Sequence, residues 1–245
     1  MLNIEYKTRE DLERILNDFR ILFAYHSNRI ENEETDYQIV KEVFEKDRVS
    51  SFNGDPRTLF EIQNQKKCYK LLLDKMVNRE PVTIDLIKEV HKTLTEGTYD
   101  EIRYNKGERP GEFKKGDYIV GKDEIGSDAE DVERDLNELL EEINESDSSD
   151  YLTIAAYFHL RFESIHPFAD GNGRVGRTLL NYYLIIHDIR PLIVYDEDKK
   201  IYYECLQAYD HKEDIEPLKK FLEYSQEKTW KKKKKDSVKK LCTFV

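Results

Sequence analysis

Cysteines are few in this sequence, and long apolar runs are absent. The 245 residues include three cysteines at wide spacing, Cys68, Cys205 and Cys242, with no Cys-x-x-Cys pair. That spacing argues against a zinc or redox centre, and we expect the thiols to be reduced and inert. No segment approaches the roughly 20 apolar residues of a membrane span, and residues 1–7 lack the apolar region of a signal peptide. We therefore expect a cytoplasmic protein without membrane contact.

Positive charge is in the minority. The sequence has 40 lysines and arginines against 51 aspartates and glutamates, which gives a net charge of -11. A chain of this charge is repelled by nucleic acid and by anionic membranes except at local basic patches. The patch at lysines 231–235 lies in a C-terminal tail, residues 227–245, where a charge run is usually solvated. Nucleic acid is thus a poorly supported partner.

Apolar side chains recur every three or four residues along most of the chain, which predicts helices. The predicted helices cover residues 8–26, 36–46, 57–77, 81–94, 127–143, 151–164, 178–187 and 217–224. The glycine-rich segment 97–126 interrupts them and predicts two short strands joined through residues 114–116. With 38% apolar residues the chain can bury one sizeable core, which we place at residues 51–226 behind an N-terminal helical region, residues 1–50. The predicted fold class is mainly α, a helical bundle with a short β-hairpin.

Residues that could act in catalysis or ligand binding are concentrated between His166 and Arg177, where the sequence reads His-Pro-Phe-Ala-Asp-Gly-Asn-Gly-Arg-Val-Gly-Arg. Pro167 ends the preceding helix, because the residue before a proline is pushed out of the helical region. Glycines at 171 and 173 let backbone N–H groups converge beside the first turn of the next helix, which adds unpaired donors and the positive end of its dipole. This turn predicts a phosphate site.

The charged residues of the same stretch extend the prediction. Arg174 and Arg177 lie three residues apart on one helix face, and their planar donor groups suit two further phosphates. Asp170 offers a hard oxygen, and Mg²⁺ is commonly held by one or two carboxylates plus phosphate oxygens. His166, with an ordinary pKa near ~6.5, can take a proton from an attacking hydroxyl. The inferred reaction is in-line transfer of a phosphorus-bearing group to a hydroxyl.

The twelve residues resemble the Fic family signature, His-Pro-Phe-x-Asp/Glu-Gly-Asn-Gly-Arg-x-x-Arg, and every specified position is filled. The resemblance implies an enzyme that moves AMP from ATP to a Ser, Thr or Tyr hydroxyl of a target protein and releases pyrophosphate. It implies that His166 is the base, that Asp170 binds Mg²⁺ and that Phe168 is a buried anchor of the loop.

The resemblance also implies phosphate contacts. Asn172, with the backbone of Gly171 and Gly173, would hold the α-phosphate, whereas Arg174 would meet the β-phosphate and Arg177 the γ-phosphate. A related phosphotransferase branch carries lysine in place of Gly173, so the glycine favours AMP transfer. The loop recognises phosphates better than it recognises a base. The chain could therefore also be a Fic enzyme that uses another nucleotide donor.

A second motif lies near the N-terminus. Ser27-Asn-Arg-Ile-Glu31-Asn32 resembles the Fic inhibitory motif, Ser/Thr-x-x-x-Glu-Gly/Asn, with Ser27 and Glu31 on one helix face. The resemblance implies that Glu31 pairs with Arg177 where the γ-phosphate should sit, so that ATP binds only unproductively. In some relatives the same glutamate positions water for removing AMP. A solvated serine and glutamate at a helix end is the alternative.

Two further segments are placed by the resemblance. Gly111-Glu-Phe113-Lys114 resembles the Gly-x-Tyr-Arg of the Fic flap, a hairpin that binds the target by strand addition, here along residues 111–121. The His-x-Pro-Pro that often follows the flap is absent, and an exposed loop without a binding role is the alternative. Residues 197–210 match the stretch that covers adenine, where Tyr203 would contact the base.

Two questions stay open. The alternative function is that of a regulatory protein that holds nucleotide and partner without turnover, although the intact His166 argues against it. The chain could also form a homo-oligomer.

We interpret the remaining five histidines as structural or surface residues: His26, His91, His159, His187 and His211.

Overall fold

The computed structural model describes residues 2–120 and 124–241, most of them in helices. The helices are α1 (Arg9–Glu31), α2 (Tyr37–Lys46), α3 (Pro56–Val77), α4 (Ile84–Thr95), α5 (Glu101–Asn105), α6 (Val132–Asn144), α7 (Tyr151–Ile165), α8 (Asn172–Ile186), α9 (Lys199–Lys212) and α10 (Glu216–Leu241). A 3₁₀ turn, Asp196–Asp198, precedes α9, and strands β1 (Ile119–Val120) and β2 (Glu124–Ile125) pair with each other. The prediction of a mainly α fold is confirmed.

Side-chain caps begin most of the predicted helices. Oγ1 of Thr8 accepts a hydrogen bond from the backbone N–H of Asp11 at 3.2 Å and so caps α1. The helix predicted over residues 127–143 begins later than expected, because α6 starts only after Asp131. The Ser127 N–H instead donates to the carbonyl of Ile165 at 3.0 Å, which holds this residue against the end of α7.

The pair α7 and α8 forms the centre of the core. Every residue of α8 except Gly173 is buried, and a helix that is covered on all sides must be packed by its neighbours all round. Helices α1, α3 and α4 pack against α8, while α6 and α10 pack against α7. The signature loop, residues 166–171, joins these two central helices and is therefore fixed at both ends.

The predicted strand pairing across residues 114–116 is wrong. The observed ladder has two residue pairs, Ile119 with Ile125 and Val120 with Glu124, and the residues that join them, 121–123, lie outside the described part of the chain. The backbone N–H of Lys114 donates to the carbonyl of Pro167 at 3.0 Å. The segment before β1 thus binds the signature loop instead of pairing with itself.

Helix α10 continues well beyond the predicted end at residue 224. Trp230 is buried, its indole N–H donates to the carbonyl of Pro191 at 2.7 Å, and its ring stacks on Phe19 of α1 at 6.2 Å. The first part of the predicted tail is therefore packed helix. No helix in the described ranges is long and apolar enough to cross a membrane.

Candidate active site

His166 ends α7 in the left-handed conformation, with φ +52°. Its backbone N–H donates to the carbonyl of Phe162 at 3.1 Å, and its Nδ1 is buried without a hydrogen-bond partner in the described part of the chain. Burial lowers the pKa of His166 to about 4, and the charge of Lys114 acts in the same direction. The imidazole is therefore neutral near pH 7, the form that accepts a proton.

The signature loop is closed by reciprocal hydrogen bonds. Oδ1 of Asn172 accepts from the N–H of Phe168 at 2.9 Å, and its Nδ2 donates to the carbonyl of the same residue at 2.7 Å. Phe168 is fully buried and stacks on His91, with ring centroids 3.6 Å apart. The side chain of Asn172 thus sets the shape of the loop, and Phe168 is the anchor that the sequence predicted.

The first turn of α8 presents free backbone donors. Gly171 precedes the helix with φ +86°, and no side chain caps it. A Cβ at Gly171 would lie 2.8 Å from Cγ2 of Thr95, so both its conformation and its surroundings require glycine. Uncapped N–H groups at a helix N-terminus favour an anion, which is the arrangement predicted from the glycines.

His91 braces this turn from α4. The N–H of Gly111 donates to Nδ1 of His91 at 2.8 Å, so Nδ1 must accept, and Nε2 carries the proton that it donates to the carbonyl of Asp170 at 3.0 Å. Burial lowers the pKa of His91 to about 3, which keeps the ring neutral. His91 was predicted to be structural, but no local sequence pattern indicated its contact with the site.

Asp170 is an ionised carboxylate among arginines. Its Oδ2 accepts from Nη2 of Arg57 at 2.8 Å, Nη2 of Arg103 lies 3.6 Å away, and Nη2 of Arg174 lies 3.7 Å from Oδ1. Burial alone would raise the pKa of Asp170, but the three cations outweigh it and hold the pKa below its usual range. A charged hard oxygen at this position fits Mg²⁺ held jointly with phosphate oxygens.

Arg174 is buried beside a carboxylate that sequence reasoning missed. Its Nη1 lies 3.1 Å from Oε1 of Glu61, which also accepts from Nε of Arg57 at 3.1 Å. The second oxygen of Glu61 accepts from Nδ2 of Asn32 at 3.2 Å. Glu61 lies in α3, far from both motifs in the sequence, and only the packing of α3 against α8 brings it here.

Arg177 is held by the N-terminal motif. Its Nη2 donates to Oε1 of Glu31 at 2.8 Å and to the carbonyl of Ser27 at 2.9 Å, and its Nε donates to Oγ of Ser27 at 3.2 Å. Burial alone would lower the pKa of Arg177, but the charge of Glu31 outweighs it and the pKa is raised. The structure thus brings the two motifs together in one ion pair, the contact that the resemblance implied.

Two cavities meet beside this ion pair. The loop cavity, about 490 Å³, is lined by residues 169–173 with Arg57, Glu61 and Arg174. The tyrosine cavity, about 610 Å³, is lined by Arg177, Tyr203, Glu163 and Asp210, among others. Three residues line both cavities: Glu31, His166 and Gly173.

Gly173 leaves no room for a side chain. A Cβ there would lie 2.6 Å from Oε1 of Glu31 and 2.8 Å from Nη1 of Arg177. The backbone of α8 therefore approaches the ion pair directly. Glu31 lies at the junction of the two cavities, where a ligand spanning both would have to pass.

Tyr203 lies at the rim of the tyrosine cavity. Its side chain is partly exposed, whereas Tyr202 is buried and its hydroxyl lies 2.6 Å from Nε2 of His159. Asp210 accepts from Oγ of Ser164 at 2.7 Å. Of the two tyrosines, Tyr203 is the one available to a planar ligand.

The comparisons with known proteins agree with this geometry. The sequence model of the Fic/DOC family matches residues 81–184. A protein adenylyltransferase Fic of Nematostella vectensis is 25% identical over 221 residues, which cover 89% of this chain and 49% of that protein. A protein adenylyltransferase Fic of Drosophila persimilis is 30% identical over 169 residues, 69% of this chain and 32% of that protein. The chain thus spans half or less of these curated relatives.

A solved structure shares the fold. The crystal structure of a Fic domain containing signaling protein from Bacteroides thetaiotaomicron superposes with a TM-score of 0.78 and 24% sequence identity. The superposition covers 92% of this chain and 89% of that one.

Proposed function

We propose that this chain, which carries a Fic/DOC family domain at residues 81–184, transfers AMP from ATP to a serine, threonine or tyrosine hydroxyl of a target protein. The observation that carries the proposal is the neutral imidazole of His166 at the junction of two cavities. One cavity offers arginines and free helix amides for phosphates, and the other offers Tyr203 for a base. The relatives named protein adenylyltransferase support the same reaction.

In this reaction His166 takes the proton of the target hydroxyl as its oxygen attacks the α-phosphorus. The new bond joins that oxygen to AMP, and the bond from the α-phosphorus to the bridging oxygen breaks, so pyrophosphate leaves with the electron pair. The N–H groups of Gly171 to Gly173 would bind the α-phosphate. Asp170 would hold Mg²⁺, which when bound offsets the negative charge of the phosphates.

Glu31 would restrain this activity. Its carboxylate occupies Nη2 of Arg177, the group assigned to the γ-phosphate, and places negative charge at the junction of the cavities. A triphosphate that bends around Glu31 would not align its α-phosphate with His166. We propose that the wild-type chain is autoinhibited and that the same carboxylate, beside His166, directs water at AMP-modified targets.

The target would lie along residues 111–121. The bond from the N–H of Lys114 to Pro167 fixes this segment beside the signature loop, and the short β1–β2 pair offers an edge to an extended peptide. A target strand there would bring its hydroxyl near His166.

Labelled ATP tests the transferred group. With Glu31→Gly protein and Mg²⁺, label in the α-phosphate is expected to remain with the protein after denaturation, whereas label in the γ-phosphate is not. Retention of γ-label would identify a phosphotransferase. Retention of neither label, with bound ATP released on denaturation, would favour a binding protein without turnover.

A further inference from the structure

A second arginine, Arg57, lines the loop cavity beside Arg174, and neither sequence motif contains it. Arg57 lies in the first turn of α3, and its side chain is 36% exposed. Its Nε donates to Oε1 of Glu61 at 3.1 Å, and its Nη2 donates to Oδ2 of Asp170 at 2.8 Å. Two carboxylates on different elements therefore fix the guanidinium plane.

The charges around this cavity assign the arginines different roles. Arg57 and Arg174 line the loop cavity, whereas Arg177 lines only the tyrosine cavity and is bound to Glu31. A polyphosphate that enters the loop cavity while Glu31 stays in place thus meets Arg57 and Arg174.

Arg57 has donors to spare. A guanidinium carries five N–H groups in a fixed plane, and the two bonds above use Nε and Nη2. The structure describes the side chains of residues 2–118 and 126–231. Among these residues, no hydrogen bond from Nη1 of Arg57 is found. A partly exposed arginine held on two sides is pre-organised for a third acceptor, because little side-chain entropy is left to lose.

We infer that Arg57 binds the outer phosphates of the donor, and the pyrophosphate that leaves, beside Arg174. The identity of the ligand rests on the proposed function. Arg57 keeps its bonds to Glu61 and Asp170 in this arrangement and offers its remaining N–H groups to phosphate oxygens. Arg57 is thus a phosphate-binding residue that also orients the carboxylate proposed to hold Mg²⁺.

Arg103 provides a control that distinguishes phosphate binding by Arg57 from mere neutralisation of the charge of Asp170. Its Nη2 lies 3.6 Å from the same Oδ2, and its Nη1 pairs with Asp100 at 2.6 Å. Arg103 does not line the loop cavity. Removing Arg103 therefore removes an equal charge near Asp170 without removing a donor from the cavity.

The test is calorimetric titration of full-length protein with sodium pyrophosphate and with AMP, each with and without Mg²⁺. For Arg57→Gln we expect roughly tenfold weaker pyrophosphate binding, the size typical of a lost charged hydrogen bond, with AMP affinity changed less than about twofold. For Arg103→Gln both affinities should stay within about twofold of wild type. Arg57→Lys keeps the charge but loses the planar fork, so its pyrophosphate affinity should lie between the two.

Several results would overturn the inference: wild-type protein that does not bind pyrophosphate, unchanged pyrophosphate affinity in Arg57→Gln, or an equal loss in Arg103→Gln. An equal loss of AMP affinity would show a general disturbance of the site. If thermal melting shows that Arg57→Gln is unfolded, Arg57→Lys decides alone, because its pyrophosphate affinity must fall while its AMP affinity stays. Pyrophosphate binding needs no transfer, so failure of the proposed AMP transfer would be seen separately in the labelling experiment.

Discussion

His166 combines an unusual backbone with a strongly lowered basicity. Its left-handed conformation turns the chain out of α7 and into the signature loop. Burial and the ammonium of Lys114 both disfavour the imidazolium, which brings the pKa of His166 to about 4. The side chain of Lys114 is itself buried, and its Nζ has no hydrogen-bond partner among the residues that the structure describes.

Replacing Lys114 with methionine removes that charge and keeps the side-chain length. A neighbouring cation disfavours protonation, so the pKa of His166 should rise and the acid side of the pH–rate profile should move to higher pH, by up to roughly one unit. The measurement is the initial rate of AMP transfer against pH in the Glu31→Gly background. Lys115→Met is the matched control, because Lys115 pairs with Glu112 at 2.8 Å. A profile that does not move, or moves equally in the control, contradicts the assignment.

His91 links the site to stability. Its pKa is about 3 in the folded chain and near ~6.5 when unfolded, so the unfolded state binds the extra proton between these values. Stability from this group is complete above pH ~6.5 and is lost as the pH falls towards 3. At pH 5 the loss should be about 2 kcal/mol relative to pH 7.

Urea unfolding at pH 7 and pH 5 measures this loss of stability, with His91→Gln protein as the comparison. The difference between the two proteins cancels other titrating groups, such as Glu163, whose pKa burial raises to about 7. Glutamine can accept from Gly111 and donate to Asp170 without titrating. An equal pH dependence in both proteins would remove His91 from this role.

At the scale of elements, the end of β2 packs directly on the end of α7. A Cβ at Gly126 would lie 2.6 Å from the carbonyl of Ile165 and 2.7 Å from Cβ of His166. The residue that follows β2 thus lies directly against the backbone of Ile165 and the Cβ of His166. This contact joins residues 40 apart in sequence, and no local pattern reveals it.

Gly126→Ala should therefore displace His166. We expect kcat for AMP transfer to fall at least tenfold with little change in ATP affinity, since displacements of about 1 Å carry costs of this order. Gly116→Ala is the control, because nothing lies within 4 Å of its added methyl group. Equal kcat values for the two variants would show that β2 does not position the imidazole.

Periodicity predicted the long helices and failed where contacts are distant in sequence. α1, α3 and α7 follow from their apolar spacing, and the caps at Thr8 and the break at Pro167 are local signals. The strand pairing within residues 97–126 could not be predicted, because its segments bind the signature loop. The length of α10 was missed because lysines suit a helix as well as a solvated tail.

At the scale of the whole molecule, the two motifs were predicted to meet, and the residues between them were not. Glu61, Arg57 and His91 contact the signature only because α3 and α4 pack against α8. None of the three belongs to a motif, so composition and spacing carried no signal for them. The sequence therefore predicted that the two motifs meet, but not which side chains of α3 and α4 surround them.

The packing of α1 limits how the ion pair between Glu31 and Arg177 can be broken. Leu12, Leu16, Phe19 and Ile30 belong to the main core, so departure of the whole helix would expose much apolar surface. Glu31 occupies the last helical residue, and the chain is already extended at Asn32. The ion pair can therefore break by rotation of the Glu31 side chain or by loosening of the last helical turn, while the rest of α1 stays packed.

We expect His166 to drive AMP transfer and Glu31 to restrain it. The direct measurement is the intact mass of four proteins after incubation with ATP and Mg²⁺: wild type, Glu31→Gly, His166→Ala and the double variant. Glu31→Gly is expected to gain the mass of AMP on most molecules, wild type on few, and both His166→Ala proteins on none. Equal gain in wild type and Glu31→Gly, or any gain in the double variant, would contradict the account.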